Sequence, residues 1–148
     1  MLASPDGTFE IQVVPLSPSK PGPWVLPVDH TAPVDSSDEF LYHKTTRRQV
    51  YESAQARFPD APDVVLINQR NELTETTIGN LVVQIDGQLC TPPVASGLLP
   101  GTFRAELVAT GMVVERVILE TDLAKTTRQW MVNSVRGWTP IEIETASS

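Results

Sequence analysis

The chain has one cysteine, Cys90, and two histidines, His30 and His43, in 148 residues. A single cysteine excludes an internal disulfide and points to a reducing, cytoplasmic compartment. Two histidines and one cysteine at wide spacing give no zinc-binding pattern. No apolar run is long enough to span a bilayer. The N-terminus lacks the basic start and unbroken apolar stretch of a signal peptide. Positive charge is also scarce: 11 Lys and Arg against 18 Asp and Glu leave a formal net charge of −7. Such a balance argues against nucleic acid or an anionic membrane as a general partner. Any anion site must be made locally, by helix N-termini or a few arginines. Hydrophobic residues make up 41% and charged residues 20%, the composition of one globular domain with its own core.

The chain reads as strands interrupted by a few helices. Residues 1–7 lead into a hairpin, residues 9–14 alternate as a strand, and residues 15–23 form a proline-bearing surface connector. Residues 24–28 resume as a strand, and 29–38 read as a polar loop whose acids are solvated. A short extended piece, 39–43, precedes a helix over 46–58, whose Val50, Tyr51, Ala54 and Phe58 make one apolar stripe. Residues 63–68, 73–77, 81–85 and 88–91 form an antiparallel meander. Its first strand is apolar enough to be buried on both faces, and its last turn is the hairpin dipeptide Asp86-Gly87. A helix over 103–110, closed by Gly111, is followed by a strand over 112–119 and a short helix over 123–127 capped at Thr121-Asp122. Strands over 129–133 and 138–143 flank a turn at 134–137, and 144–148 form a frayed tail. Roughly nine strands with three helices between them predict a mixed α/β domain. The expected form is a twisted, partly closed barrel of mainly antiparallel strands with helices outside.

Four places carry candidate chemistry. Lys44, in His43-Lys44-Thr45-Thr46-Arg47-Arg48, is expected at the tip of the first helix, with Thr45 and Thr46 capping it. Arg47 and Arg48 and partial burial would favour a neutral, nucleophilic amine of the kind Schiff-base chemistry needs. The plain alternative is a solvated basic patch. Glu75 stands between apolar and β-branched residues and shares a strand face with Leu73 and Thr77, so it either faces water or pairs with a ring N–H. Gly101 opens the helix that begins at Thr102 and Phe103, where free N–H groups make a ready anion site. Asn133-Ser134-Val135-Arg136-Gly137 is a turn that could form a second anion nest. Spacing alone leaves each of these open to a purely structural reading.

Together, the stretches resemble the class IV aminotransferases, the fold family of branched-chain and D-amino-acid aminotransferases and of aminodeoxychorismate lyase. The resemblance is carried by His43 to Arg48 with Tyr51, Asn68-x-x-Asn71-Glu72-Leu73-Thr74-Glu75-Thr76-Thr77-Ile78-Gly79-Asn80-Leu81, Thr91-Pro92-Pro93 with Gly97 to Arg104, and Asn133 to Trp138. It covers about residues 38–138. The forms around Lys44 and Asn133 look most like the lyase halves found fused to para-aminobenzoate synthase component I.

The resemblance implies pyridoxal 5'-phosphate as cofactor. Lys44 matches the lysine that binds it covalently and later moves the substrate's α-proton. Glu75 matches the glutamate that keeps the pyridine nitrogen protonated. Thr102 and Phe103, beside Gly101, fall on the phosphate loop, although many relatives carry the threonine one position later. Ser134 and Val135 fall on a second phosphate corner. Ile78 and Asn80 lie near the ring, Asn80 being equally readable as a turn residue. The implied reaction converts 4-amino-4-deoxychorismate to para-aminobenzoate and pyruvate. Branched-chain or D-amino-acid transamination is the alternative, and a non-catalytic remnant the third reading. Relatives of this kind are homodimers acting on small molecules. They carry a smaller N-terminal domain that holds substrate carboxylates, so this chain is expected to be the C-terminal cofactor-binding domain alone, with little turnover by itself.

Overall fold

Most strands bury both faces, because the sheet closes toward a barrel and carries helices on its outside. The computed structural model describes residues 2–11, 13–16 and 22–144. These form β1 (Leu2–Ala3), β2 (Phe9–Glu10), β3 (Trp24–Leu26), β4 (Val28–Val34), α1 (Gln49–Arg57), β5 (Val65–Asn68) and β6 (Leu73–Thr76). The second half adds β7 (Asn80–Ile85), β8 (Gln88–Thr91), α2 (Thr102–Ala109), β9 (Val114–Glu115), β10 (Thr126–Asn133) and β11 (Gly137–Ile143). Short 3-10 segments lie at Glu39–Tyr42, Val94–Ser96 and Glu120–Lys125.

The sheet runs β3-β11-β10-β7-β6-β5-β4, with β8 on β7 and β9 on β8. Its two ends, β3 and β4, are separated in sequence by Pro27 alone. One extended stretch therefore pairs parallel with β11 through its first half and parallel with β5 through its second. Pro27 cannot donate to a ladder, which suits the residue at which the stretch changes partner; its carbonyl still accepts from Val65 N–H at 2.9 Å. The rest of the path is antiparallel.

Period-2 alternation sorts the side chains. Leu81, Val83 and Ile85 of β7 join Val65, Ile67, Leu73, Met131 and Ile141 in the main core. The neighbours between them face out. Val64 and Leu66 pack with Ala54, Val50, Tyr51 and Phe58 of the α1 stripe. Val82 and Val132 pack under Leu107 and Phe103 of α2. Phe103, Trp138 and Trp130 continue this layer edge to face, with centroids 6.4 and 5.5 Å apart. Trp138 and Phe103 thus have a packing role.

The expected meander is present, and Asp86 (φ 51°) and Gly87 (φ 79°) turn it as a left-handed pair. The ladder between β6 and β7 is one pair long, Glu75 opposite Asn80. Beyond it β8 takes over the same edge of β7.

Several expectations are corrected. Residues 29–38 are not all loop: β4 runs to Val34, because β5 offers a parallel edge that V-D-H-T-A-P-V does not advertise by alternation. Asp29 is not solvated. It is 1% exposed, accepts from Thr31 N–H, and is paired with Arg57 of α1. Residues 39–42 form a 3-10 turn, capped when Asp38 accepts from Phe40 N–H. The first helix starts only at Gln49, with no side-chain cap; Thr45 Oγ1 accepts instead from Arg47 N–H, in the preceding loop. The strand expected over 9–14 is just β2, and Phe9, Ile11, Val13 and Val14 are exposed. That over 112–119 shrinks to β9. The expected short helix at 123–127 is the 3-10 segment Glu120–Lys125. The connector at 17–21 and the tail at 145–148 lie outside the described residues.

Arg57→Ala strands the buried Asp29 carboxylate. We expect a loss of roughly 2–4 kcal/mol, moderated because Arg57 itself keeps some solvent contact. Urea denaturation at pH 7 measures it, and a loss below about 0.5 kcal/mol would show the pair to be dispensable.

Candidate active site

The loop before α1, the β6–β7 turn, the α2 N-terminus and the β10–β11 turn come together at one end of the barrel around a cleft of about 560 Å³. Lys44, Glu75, Ile78, Asn80, Gly101, Thr102, Phe103, Ser134 and Val135 all line it, so the structure gathers every residue singled out from the sequence. The volume lies within the usual range for small-molecule sites.

Glu75 is the best-defined group. Period 2 puts it on the face of Leu73, but two residues nearer the cleft. It is 3% exposed. Oε1 accepts from Tyr51 O–H at 2.8 Å and from Leu99 N–H at 3.1 Å. Oε2 accepts from Asn80 Nδ2 at 3.3 Å. The same Asn80 amide donates to Leu99 O at 2.8 Å, so Asn80 is a bridging residue as well as the start of β7. Burial pushes the Glu75 carboxyl up to about 8, against the pull of the Tyr51 and Leu99 bonds and of the Arg48 charge. Burial and the neighbouring Glu75 charge in turn push the Tyr51 phenol up.

The turn carrying Thr77 is pinned from beneath. Asp63 Oδ1 accepts from Val64 N–H, Thr77 N–H and Thr77 O–H at 2.8, 2.9 and 2.6 Å. Arg48 reaches the Thr77 carbonyl at 2.9 Å. Ile78, at the tip, is half-exposed, and its carbonyl accepts from Asn133 Nδ2 at 3.1 Å.

Across the cleft, α2 begins without a side-chain cap, which leaves its first N–H groups pointing outward. Thr102 Oγ1 and Ser134 Oγ are 2.7 Å apart, so the two expected anion corners form one. Asn133 Oδ1 accepts from Val135 N–H at 3.0 Å and Arg136 N–H at 2.8 Å, which turns those amides toward Asn133. The contribution of the β10–β11 turn is therefore centred on Ser134. Gly101 allows the close approach: a Cβ there would meet Asn80 Oδ1 at 2.3 Å.

Lys44 lines the same cleft but is exposed, in the loop five residues before the start of α1 at Gln49. It is neither at a helix tip nor partly buried. Its amine has no hydrogen-bond or ion-pair partner among the described residues. The two arginines line the cleft as well, with Arg47 stacked over Phe40 at 4.0 Å and Arg48 over Tyr51 at 4.8 Å. The sequence offered Arg48 only as a charge near Lys44 and Tyr51 only as a stripe and motif residue; the contacts of Tyr51 with Glu75 and of Arg48 with the Thr77 carbonyl were not foreseen. The available signal was a hydroxyl on an otherwise apolar helical stripe.

The family profile described as amino-transferase class IV matches residues 2–143. The chain belongs to this family. Among solved structures, the chain superposes on a Mesorhizobium loti protein provisionally named an amino-acid aminotransferase, with a TM-score of 0.88 and 34% identity. The match covers 96% of this chain and 70% of that one. A Legionella pneumophila protein provisionally named a 4-amino-4-deoxychorismate lyase gives a TM-score of 0.79 and 25% identity, over 89% and 51% of the two chains. A Schizosaccharomyces pombe relative provisionally named an aminodeoxychorismate lyase is 31% identical over 137 residues, 88% of this chain. The chain spans 59% of that relative's length. The mixed, nearly closed barrel is therefore that of the class IV aminotransferases. Among the described residues no helix is long and apolar enough to cross a membrane.

Two expectations follow for this class IV site. Glu75 keeps its proton in the folded chain where the unfolded chain, near its ordinary 4.5, has lost it. Stability should therefore fall as pH rises from about 4.5 to about 8. Glu75→Gln should flatten that slope in denaturation curves of the cofactor-free protein, and an unchanged slope would assign it to other groups. Gly101→Ala should push the Asn80 carboxamide off Leu99 and lower the melting temperature by several degrees in calorimetry; an unchanged value would mean that the cleft yields freely.

Proposed function

We propose that the chain carries the pyridoxal 5'-phosphate site of an aminodeoxychorismate-lyase-like enzyme. The observation that carries this reading is the convergence of three chemistries on one cleft: an unpaired amine, a buried carboxyl and a hydroxyl-and-amide anion corner. The donor set suits the cofactor. The free N–H groups at the start of α2, with Thr102 Oγ1 and Ser134 Oγ, offer donors to a phosphate. Glu75, raised by burial, gains most from a cationic ring nitrogen beside it, since a positive partner lowers its pKa again.

When bound, the cofactor supplies an electron-accepting ring. The chain's own residues do the rest. Glu75 holds the proton on the ring nitrogen, the α2 amides and hydroxyls fix the phosphate, and Asn80 keeps Glu75 and the Leu99 loop in register. Lys44 Nζ is the base that takes the substrate's α-proton. In the lyase reading, loss of that proton would be matched by breaking the ring C–O bond to the enolpyruvyl group, which leaves and takes up a proton to become pyruvate, while the ring becomes aromatic as para-aminobenzoate, a folate precursor.

A second reading, amino transfer, is favoured by the Mesorhizobium loti match; it uses the same Lys44 and Glu75. Pyruvate release against amino transfer, measured on the chain together with the smaller domain proposed below, separates the two. In this proposal the chain is the cofactor-carrying domain of a cytoplasmic homodimer, and substrate carboxylates are held by a smaller domain outside it.

Incubation with pyridoxal 5'-phosphate followed by borohydride reduction makes the lysine link permanent, and peptide mapping locates it. The tag is expected on Lys44 and not on Lys20 or Lys125, and to vanish in Lys44→Ala. An even spread over the lysines would sink the assignment of a formed site.

A further inference from the structure

Tyr51 sits on the α1 stripe that packs against Leu66, Val64 and Ala54. A phenylalanine would serve that packing equally. The hydroxyl does something else: it crosses from α1 to β6 and donates to Glu75 Oε1 at 2.8 Å. Leu99 N–H donates to the same oxygen at 3.1 Å, so the two acceptor directions of Oε1 are used. Oε2 is left with Asn80 Nδ2 at 3.3 Å, a donor whose shorter bond, 2.8 Å, goes to Leu99 O. The carboxyl is thus divided into one saturated oxygen and one with capacity to spare. Tyr51 cannot drift, because Arg48, one turn back, covers its ring at 4.8 Å and is itself tied to the Thr77 carbonyl at 2.9 Å. Donors from α1 and the Leu99 loop thus meet at Oε1 of Glu75 on β6.

We infer that Tyr51 is a positioning residue: by occupying Oε1 of Glu75 it makes Oε2 the oxygen that faces a ring N–H, and so sets how tightly the cleft holds a cationic heteroaromatic ring. This rests on the cofactor reading above for the ligand, but not for the Tyr51–Glu75 coupling itself. The charged and titratable groups acting on the pair are Arg48, just before α1, which favours the Glu75 carboxylate, and buried Asp63, which opposes it. Asp38, before the 3-10 turn, acts on Tyr51.

The test uses Tyr51→Phe, which keeps the ring and removes the donor. In the protein without cofactor, 13C NMR titration of the Glu75 carboxyl should show its midpoint moved upward by roughly one pH unit, as expected when a bond to a charged acceptor is lost. Affinity for pyridoxal 5'-phosphate at pH 8 should fall about tenfold on the same grounds. In a Glu75→Gln background the same substitution should cost nothing further. An unchanged midpoint, or an equal loss of affinity in both backgrounds, overturns the inference. If the wild type binds no pyridoxal 5'-phosphate, the cofactor reading fails while the midpoint still decides the role of Tyr51. Should Tyr51→Phe fail to fold, 3-fluorotyrosine at position 51 keeps the shape and donates more strongly. It should lower the midpoint, and no movement would equally overturn the inference.

Discussion

A carboxyl group out of reach of water must find its partners in the protein or lose its charge. Glu75 meets that requirement with donors from three separate parts of the chain: a phenol from α1, a backbone amide from the loop before α2, and a carboxamide from the start of β7. Each donor belongs to an element that also lines the cleft. Satisfying one buried acid therefore brings the candidate site together, because none of the three can move without leaving a polar atom unpaired. The acid still carries an unfavourable balance, which is a reason for the site to welcome a positive partner.

The barrel makes this arrangement possible. Closure through the β3–Pro27–β4 stretch leaves both faces of the central strands buried, with α1 on one flank and α2 on another. The strand ends then converge, and their turns become the walls of the cleft. The single Glu75–Asn80 pair between β6 and β7 is the geometric centre of that convergence: past it β7 turns to β8, and the β6–β7 turn is free to reach toward Asn133. The candidate anion corner has the same origin. Thr102 and Ser134 are 32 residues apart in the chain and 2.7 Å apart in space, because α2 packs on β10.

Much of the fold was legible in local pattern. The meander from β5 to β8, the α1 stripe, the Asp86-Gly87 turn and the final hairpin all rest on interactions within a few residues, where alternation and turn chemistry are strong signals. The failures have a common cause. β4 exists because β5 lends it an edge, not because V-D-H-T-A-P-V alternates. The acid in that segment is buried because Arg57 meets it from another element. The helix after Lys44 starts late because Thr45 caps a loop residue rather than the helix itself.

The candidate site divides in the same way. The residue types and their order along the chain, from Lys44 through Glu75 and Gly101 to Ser134, were already present in the sequence and sufficed to suggest a family and a cofactor class. They could not say that Thr102 and Ser134 share one anion corner, that Asn133 takes the Val135 amide, that Lys44 stands exposed at the cleft, or that Tyr51 reaches Glu75. Those are facts about which groups lie within about 3 Å of one another, and hydrogen-bond geometry of that kind between distant segments is decided only when the barrel closes and the helices dock. Local propensity and motif order were written in the sequence itself; saturation of a buried carboxyl was settled only by the tertiary structure.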